Sequence, residues 1–138
     1  MRRSFSAAIL CALLVGLVGG IHAGNSLQPT QLSPDTLAGT WQSGSFAYTF
    51  FDNGTYVYVG AMGGAMMSTQ IAEEGTYRLS GDALIVTRQR GVVTTSQNYR
   101  RDLEIETTVF HFRLGTMQGR PALQLIFPNG HPQMFYRP

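Results

Sequence analysis

From about residue 37 to its end, the chain is filled with short runs in which apolar and polar residues alternate. A two-residue period is the signature of strands with one buried face. Phe46, Tyr48 and Phe50 share one face of such a run, and beyond Asp52-Asn53-Gly54 the residues Tyr56 and Tyr58 share one face of the next. Asn-Gly accepts the positive φ angles of a type I′ hairpin, so Ser45–Phe51 and Thr55–Gly60 are predicted as neighbouring antiparallel strands. Gly39–Ser43 precedes them. Strands are also predicted over about Gln70–Leu79 and Ala83–Arg90, joined by Ser80-Gly81-Asp82, and over Ala122–Phe127 and Gln133–Arg137, joined by Pro128-Asn129-Gly130. Their inward sets are Tyr77 with Leu79, Leu84 with Val86, and Leu123, Leu125 with Phe127. Between these runs lie a glycine-rich loop, Ala61–Ser68, and a looser stretch, Gly91–Asn98.

The longest run, about Arg100–Leu114, changes parity along its length. Leu103 and Ile105 alternate with Asp102, Glu104 and Glu106, whereas Phe110, Phe112 and Leu114 take the opposite phase. A β-bulge near Thr107 or Thr108 would bring the apolar set back to one side and leave the three acids on an outer face, paired across strands with Arg88 or Arg90. About eight strands with near-regular spacing, and no helical period longer than a turn, predict an all-β fold. The expected form is an antiparallel up-and-down barrel, closed because an open meander of this length would leave two unprotected edges.

The start of the chain is of another kind. Met1-Arg2-Arg3 leads into an apolar stretch, Ala7–Val18, which ends in Gly19-Gly20-Ile21-His22-Ala23. A basic start, a short apolar middle and a small-residue end form a secretory signal, and the middle is shorter than the roughly 20 residues needed to span a bilayer. Residues 1–23 are therefore read as a signal peptide cleaved near Ala23, residues 24–36 as a flexible N-terminal segment, and residues 37–138 as the barrel domain. The expected location is the periplasm or the exterior.

Cleavage changes the charge balance. The whole chain has a net charge of +2, with 10 basic residues, all Arg, against 8 acidic ones. Loss of Arg2 and Arg3 leaves it near neutral, without the clustered positive charge that nucleic acid or an anionic membrane would require. The single cysteine, Cys11, lies within the signal, so the remaining 115 of the 138 residues are held by a hydrophobic core alone.

Leu37-Ala38-Gly39-Thr40-Trp41 is the most specific local motif. Gly39 lets the chain turn into the barrel end, Trp41 plugs that end, and burial of its indole would contribute about 2–3 kcal/mol. First and last strands are neighbours in a closed meander, so Arg137 can stack on the Trp41 ring. The Gly39-Thr40-Trp41 start, the run Phe50-Phe51-Asp52-Asn53-Gly54-Thr55-Tyr56, the strand Gly75-Thr76-Tyr77 with its hairpin to Leu84, and Arg137 together make residues 37–138 resemble the lipocalin or calycin superfamily. The likeness is to the small lipocalin-like domains of exported bacterial proteins. The chain departs from larger members in its shortness, its lack of a disulfide and the lack of a helix after the barrel. The resemblance implies a cup holding a small apolar or amphipathic molecule. Phe46, Tyr48, Phe50, Tyr56, Tyr58, Tyr77, Leu125 and Phe127 would line it, unless they simply fill a solid core.

Met62, Met66 and Met67 suit a pliable lip or lid over the barrel better than a soft-metal site, since no His or Cys adjoins them. His111 and His131 are far apart and read as structural or surface residues, and Glu73-Glu74 shows no catalytic pattern. Asn53-Gly54-Thr55 fits a glycosylation sequon, but the turn needs Asn-Gly for geometry alone. No nucleophile stands with a base, and there is no metal constellation or phosphate loop. The expected function is non-enzymatic binding of a small hydrophobic or amphipathic ligand, with no cofactor, no nucleic acid and no membrane anchor. The alternative is a protein-binding module, such as an inhibitor of a secreted protease that uses the arm Asn25–Asp35. An avidin-like reading also starts from Gly-Thr-Trp, but no polar residues can be assigned to hold biotin.

Overall fold

A computed structural model describes residues 28–29 and 34–138. The predicted signal peptide, 1–23, and the arm 24–36 apart from residues 28–29 and 34–36 lie outside the described residues. The described chain forms β1 (Gln28–Pro29), one helical turn α1 (Pro34–Leu37), β2 (Gly39–Ser43), β3 (Phe46–Phe50), β4 (Thr55–Gly63) and β5 (Ser68–Ser80). It continues through β6 (Ala83–Thr95), β7 (Arg100–Asp102), β8 (Glu106–Met117), β9 (Arg120–Ile126) and β10 (Pro132–Tyr136).

Eight of these strands close into an antiparallel barrel. The ladder runs β2-β3-β4-β5-β6, passes from β6 to β8, continues through β9 and β10, and returns to β2 where Tyr136 faces Gln42. The two short strands extend the sheet where barrel partners run out. β7 takes over the edge of β6 at Val92–Thr94, beyond the reach of β8, and β1 covers β8 at Gly115 and Thr116, beyond the start of β6. Inward residues of all eight strands form one core around Trp41, Phe50, Tyr56, Phe112, Leu123 and Phe135.

Side chains brace the closing seam at two places: Gln133 on β10 donates from Nε2 to Ser43 Oγ on β2 at 3.2 Å, and Arg137 caps the barrel end. The Arg137 guanidinium lies 4.0 Å from the centre of the Trp41 ring, and its Nη2 donates to the Thr36 carbonyl at 3.0 Å. Trp41 in turn donates from Nε1 to the Leu37 carbonyl at 2.7 Å. Gly39 sits at φ +115°, and a Cβ there would collide with Arg137. Glycine thus serves both a backbone angle that side chains resist and the close approach of the guanidinium.

Three local expectations need correction. The run Arg100–Leu114 is broken at Leu103–Ile105, with no bulge at Thr107 or Thr108; its two parts become β7 and β8 and pair with different halves of β6. The register shift lies on another ladder. Glu74 faces Arg90 but Gly75 faces Arg88, which leaves Gln89 as an extra residue on β6. Glycine is required at 75, since a Cβ would strike the Thr87 carbonyl oxygen. Nor do Asp102, Glu104 and Glu106 share an outer face: Glu106 stands opposite Arg88 on the side that Phe110 and Phe112 bury. Finally, both stretches expected to be irregular are mostly strand: Gly91–Thr95 of the stretch Gly91–Asn98 belongs to β6, and the glycine-rich segment is largely paired. β4 and β5 pair out to Gly63 and Ser68, leaving only residues 64–67 as a turn.

Candidate functional site

The long hairpins β4–β5 and β5–β6 rise past the packed part of the barrel, and their inward face is left as a concave wall. The bulge sets its composition. Below Gln89 the inward residues of β6 are Leu84, Val86 and Arg88; above it they are Gly91, Val93 and Thr95. β5 presents Ile71 and Glu73, and β4 presents Tyr58, Gly60 and Met62. A cavity of about 150 Å³ lies here, lined by Phe46, Tyr58, Gly60, Met62, Ile71 and Val93 among others. Gly60 leaves room for the Phe46 ring, which a Cβ at that position would meet.

Below the cavity the wall becomes polar. The inward Arg88 bonds Glu73 Oε2 through Nη1 at 3.1 Å, Glu106 Oε2 through Nη2 at 2.9 Å, and the Glu104 carbonyl through Nε at 2.9 Å. It therefore ties β5, β8 and the segment Leu103–Ile105 to β6. The Glu73 side chain is only 10% exposed and Arg88 17%, whereas Glu106 is 62% exposed. Gly91 makes this packing possible, because a Cβ there would crowd the Arg88 stem and Leu103. Tyr56 donates its hydroxyl to Glu73 Oε1 at 3.3 Å, and Tyr58 stands directly across the ladder from Glu73.

Burial, and then the Glu73 carboxylate, push the Tyr58 phenol up to about 12. The same causes hold Tyr56 above the usual phenol range, and burial with Tyr58 and Glu73 does so for Tyr48. Burial alone would lower the Arg88 pKa, but its bonds to Glu73 and Glu106 raise it. The site thus presents neutral hydroxyls and the Arg88 cation, bonded to Glu73 and Glu106, at the foot of an apolar cavity.

No protein family, curated protein or solved structure matches the chain. The geometry therefore carries the functional argument.

The eight aromatic and aliphatic residues expected to line a pocket divide between two settings. Phe46 and Tyr58 border the cavity. Tyr48, Phe50, Tyr56, Tyr77 and Leu125 are buried in the core, with Phe127 packed against it. The two settings join at the Tyr48 ring, which lies 4.4 Å from that of Tyr58 and 5.4 Å from that of Phe50. Of the methionines, Met62 lines the cavity, while Met66, in the turn, is 93% exposed and Met67 is also exposed. His111 and His131 are exposed, and His111 Nδ1 lies 3.6 Å from Asp82. In the arm, Gln28 and Pro29 are paired with β8.

Sequence reasoning did not single out Ile71, Glu73, Arg88 or Val93 as site residues. Glu73 and Ile71 share the parity of Tyr77, and Arg88 that of Val86, so the period-two rule applied to polar positions would have found them. Val93 has no such signal, because the extra residue at Gln89 inverts its phase.

Proposed function

We propose that this protein is a non-enzymatic, lipocalin-like carrier of a small amphipathic molecule, exported after removal of residues 1–23. The observation that carries the reading is the cavity between Phe46, Tyr58, Ile71 and Val93, placed directly above the Glu73–Arg88 pair. An apolar cavity of about 150 Å³ has the size that holds a single aromatic ring or a short alkyl end. The polar end of the ligand would rest on the tyrosine hydroxyls and charged groups beneath, where a few placed polar groups set orientation.

Titration with ANS and with alkyl-chain ligands, followed by native mass spectrometry, tests the proposal. Binding is expected for the wild type and is expected to fall at least tenfold in Ile71→Trp and Val93→Trp, which fill the cavity, with the melting temperature little changed. Absence of binding to any of these probes, or binding indifferent to both substitutions, would exclude this site.

A further inference from the structure

We propose that the end of the molecule formed by the β4–β5 and β6–β7 turns docks onto an anionic lipid surface. The two turns lie side by side because Thr69 and Thr95 are ladder partners at the ends of β5 and β6. They are fastened together: Ser96 donates its backbone N–H to the Ser68 carbonyl at 2.9 Å, and Ser68 donates its own to Ser96 Oγ at 3.1 Å. The β6–β7 turn is closed by bonds between Thr95, Asn98 and Tyr99, with Asn98 at φ 62°. The result is a single braced projection.

What this projection exposes is unusual for a surface in water. Met62, Met66, Met67 and Tyr99 are exposed there, half of the eight large hydrophobic side chains that are exposed among the described residues. Contiguous exposed apolar side chains at one pole mark a contact surface, whereas single ones need no explanation. Unbranched methionines adapt to an irregular acyl environment, and tyrosine favours the level of lipid headgroups.

Charge selects the partner. Between Ala61 and Ala72, and between Val92 and Arg101, there is no Asp or Glu, and the only charged residues are Arg100 and Arg101. Arg100 lies 3.7 Å from Asp102, at the inner end of β7, and Arg101 has no ion-pair partner among the described residues. The near-neutral charge of the whole domain therefore conceals a pole that is apolar and positive. Apolar tips backed by two arginines, one of them paired only with the solvent-exposed Asp102, fit a bilayer interface carrying anionic headgroups, with each arginine near the surface strengthening binding roughly fivefold.

Co-sedimentation with phosphatidylcholine vesicles, with and without phosphatidylglycerol, tests the proposal on the exported protein with its N-terminus read by mass spectrometry. The wild type is expected to bind the anionic vesicles, and binding should weaken as salt is raised. The pair Arg100→Gln/Arg101→Gln should reduce the partition coefficient by more than tenfold. The triple variant Met66→Ser/Met67→Ser/Tyr99→Ser should abolish binding, while Arg113→Gln, on β8, should leave it unchanged. A Tyr99→Trp variant should show an emission blue shift on the same vesicles. Equal binding by the wild type and the triple variant, or a tip that instead mediates self-association in analytical ultracentrifugation, would overturn the proposal. Cavity filling by Ile71→Trp should not alter vesicle binding, so failure of the carrier reading is distinguishable from failure of this one.

Discussion

Tyrosines make the interior sensitive to alkali. Tyr48, Tyr56 and Tyr58 all have phenol pKa values above the ordinary 10, chiefly because burial disfavours the phenolate, with Glu73 adding to the effect. In the unfolded chain these groups ionise near pH 10, whereas in the folded chain they keep their protons until higher pH. Folded protein then binds more protons than unfolded protein, so stability is fully present below pH 10 and falls as pH rises toward 12 and beyond. Urea midpoints measured from pH 8 upward are expected to drop steeply above pH 10. Tyr58→Phe should flatten part of that drop, and an unchanged slope in this variant would show that Tyr58 is not among the titrating groups. At this scale much was legible. Alternation alone placed Tyr48, Tyr56, Tyr77 and Leu125 inside, and Gly39, Trp41 and Arg137 were recognisable as a closing group because a meander brings its ends together. The pairing of Glu106 with Arg88 was legible, but on an outer face, and Glu73 only as half of an acidic pair, because an amphipathic pattern reports apolar residues and an inward charge reads as a face that points out.

Among the elements, β6 does the most to shape the site, and its course was the least legible. Its lower half pairs with β8 and its upper half with β7, so one strand belongs to the barrel below and to the projecting wall above. The exchange depends on an extra residue at Gln89, room at Gly75 and Gly91, and a break at Leu103–Ile105, none of which a two-residue period reports. Arg88 stands at the junction. Removing it in Arg88→Met leaves Glu73 nearly buried without its cation, a loss of about 3–5 kcal/mol. Replacing both partners in Arg88→Met/Glu73→Gln removes the uncompensated charge and retains an acceptor for Tyr56. The double variant is expected to be more stable than the single by about 2 kcal/mol in urea denaturation. If Arg88→Met alone unfolds no more easily than the wild type, Glu73 is not sequestered as described. Glu106 is solvated enough to lose its partner at little cost.

For the molecule as a whole, closure is a problem of distance along the chain. The hairpin ladders β3–β4, β4–β5, β5–β6 and β8–β9 join neighbours in sequence, and their turns bring partners together at small entropic cost. The β10–β2 seam is different. It has a single registered pair, Tyr136 with Gln42, and the Arg137 bond to the Thr36 carbonyl spans 101 residues. A contact that closes so large a loop, with so short a ladder to reward it, is expected to form after the hairpins have docked. Arg137→Met removes the stacking on Trp41 and a charged hydrogen bond, and should destabilise the barrel by about 2 kcal/mol. If the seam is absent from the folding transition state, nearly all of that loss appears as faster unfolding, about thirtyfold, with the refolding rate almost unchanged. Stopped-flow chevrons of the wild type and Arg137→Met separate the two limbs. A refolding limb slowed in proportion to the lost stability would mean that the ends meet early, and that closure guides the hairpins rather than following them.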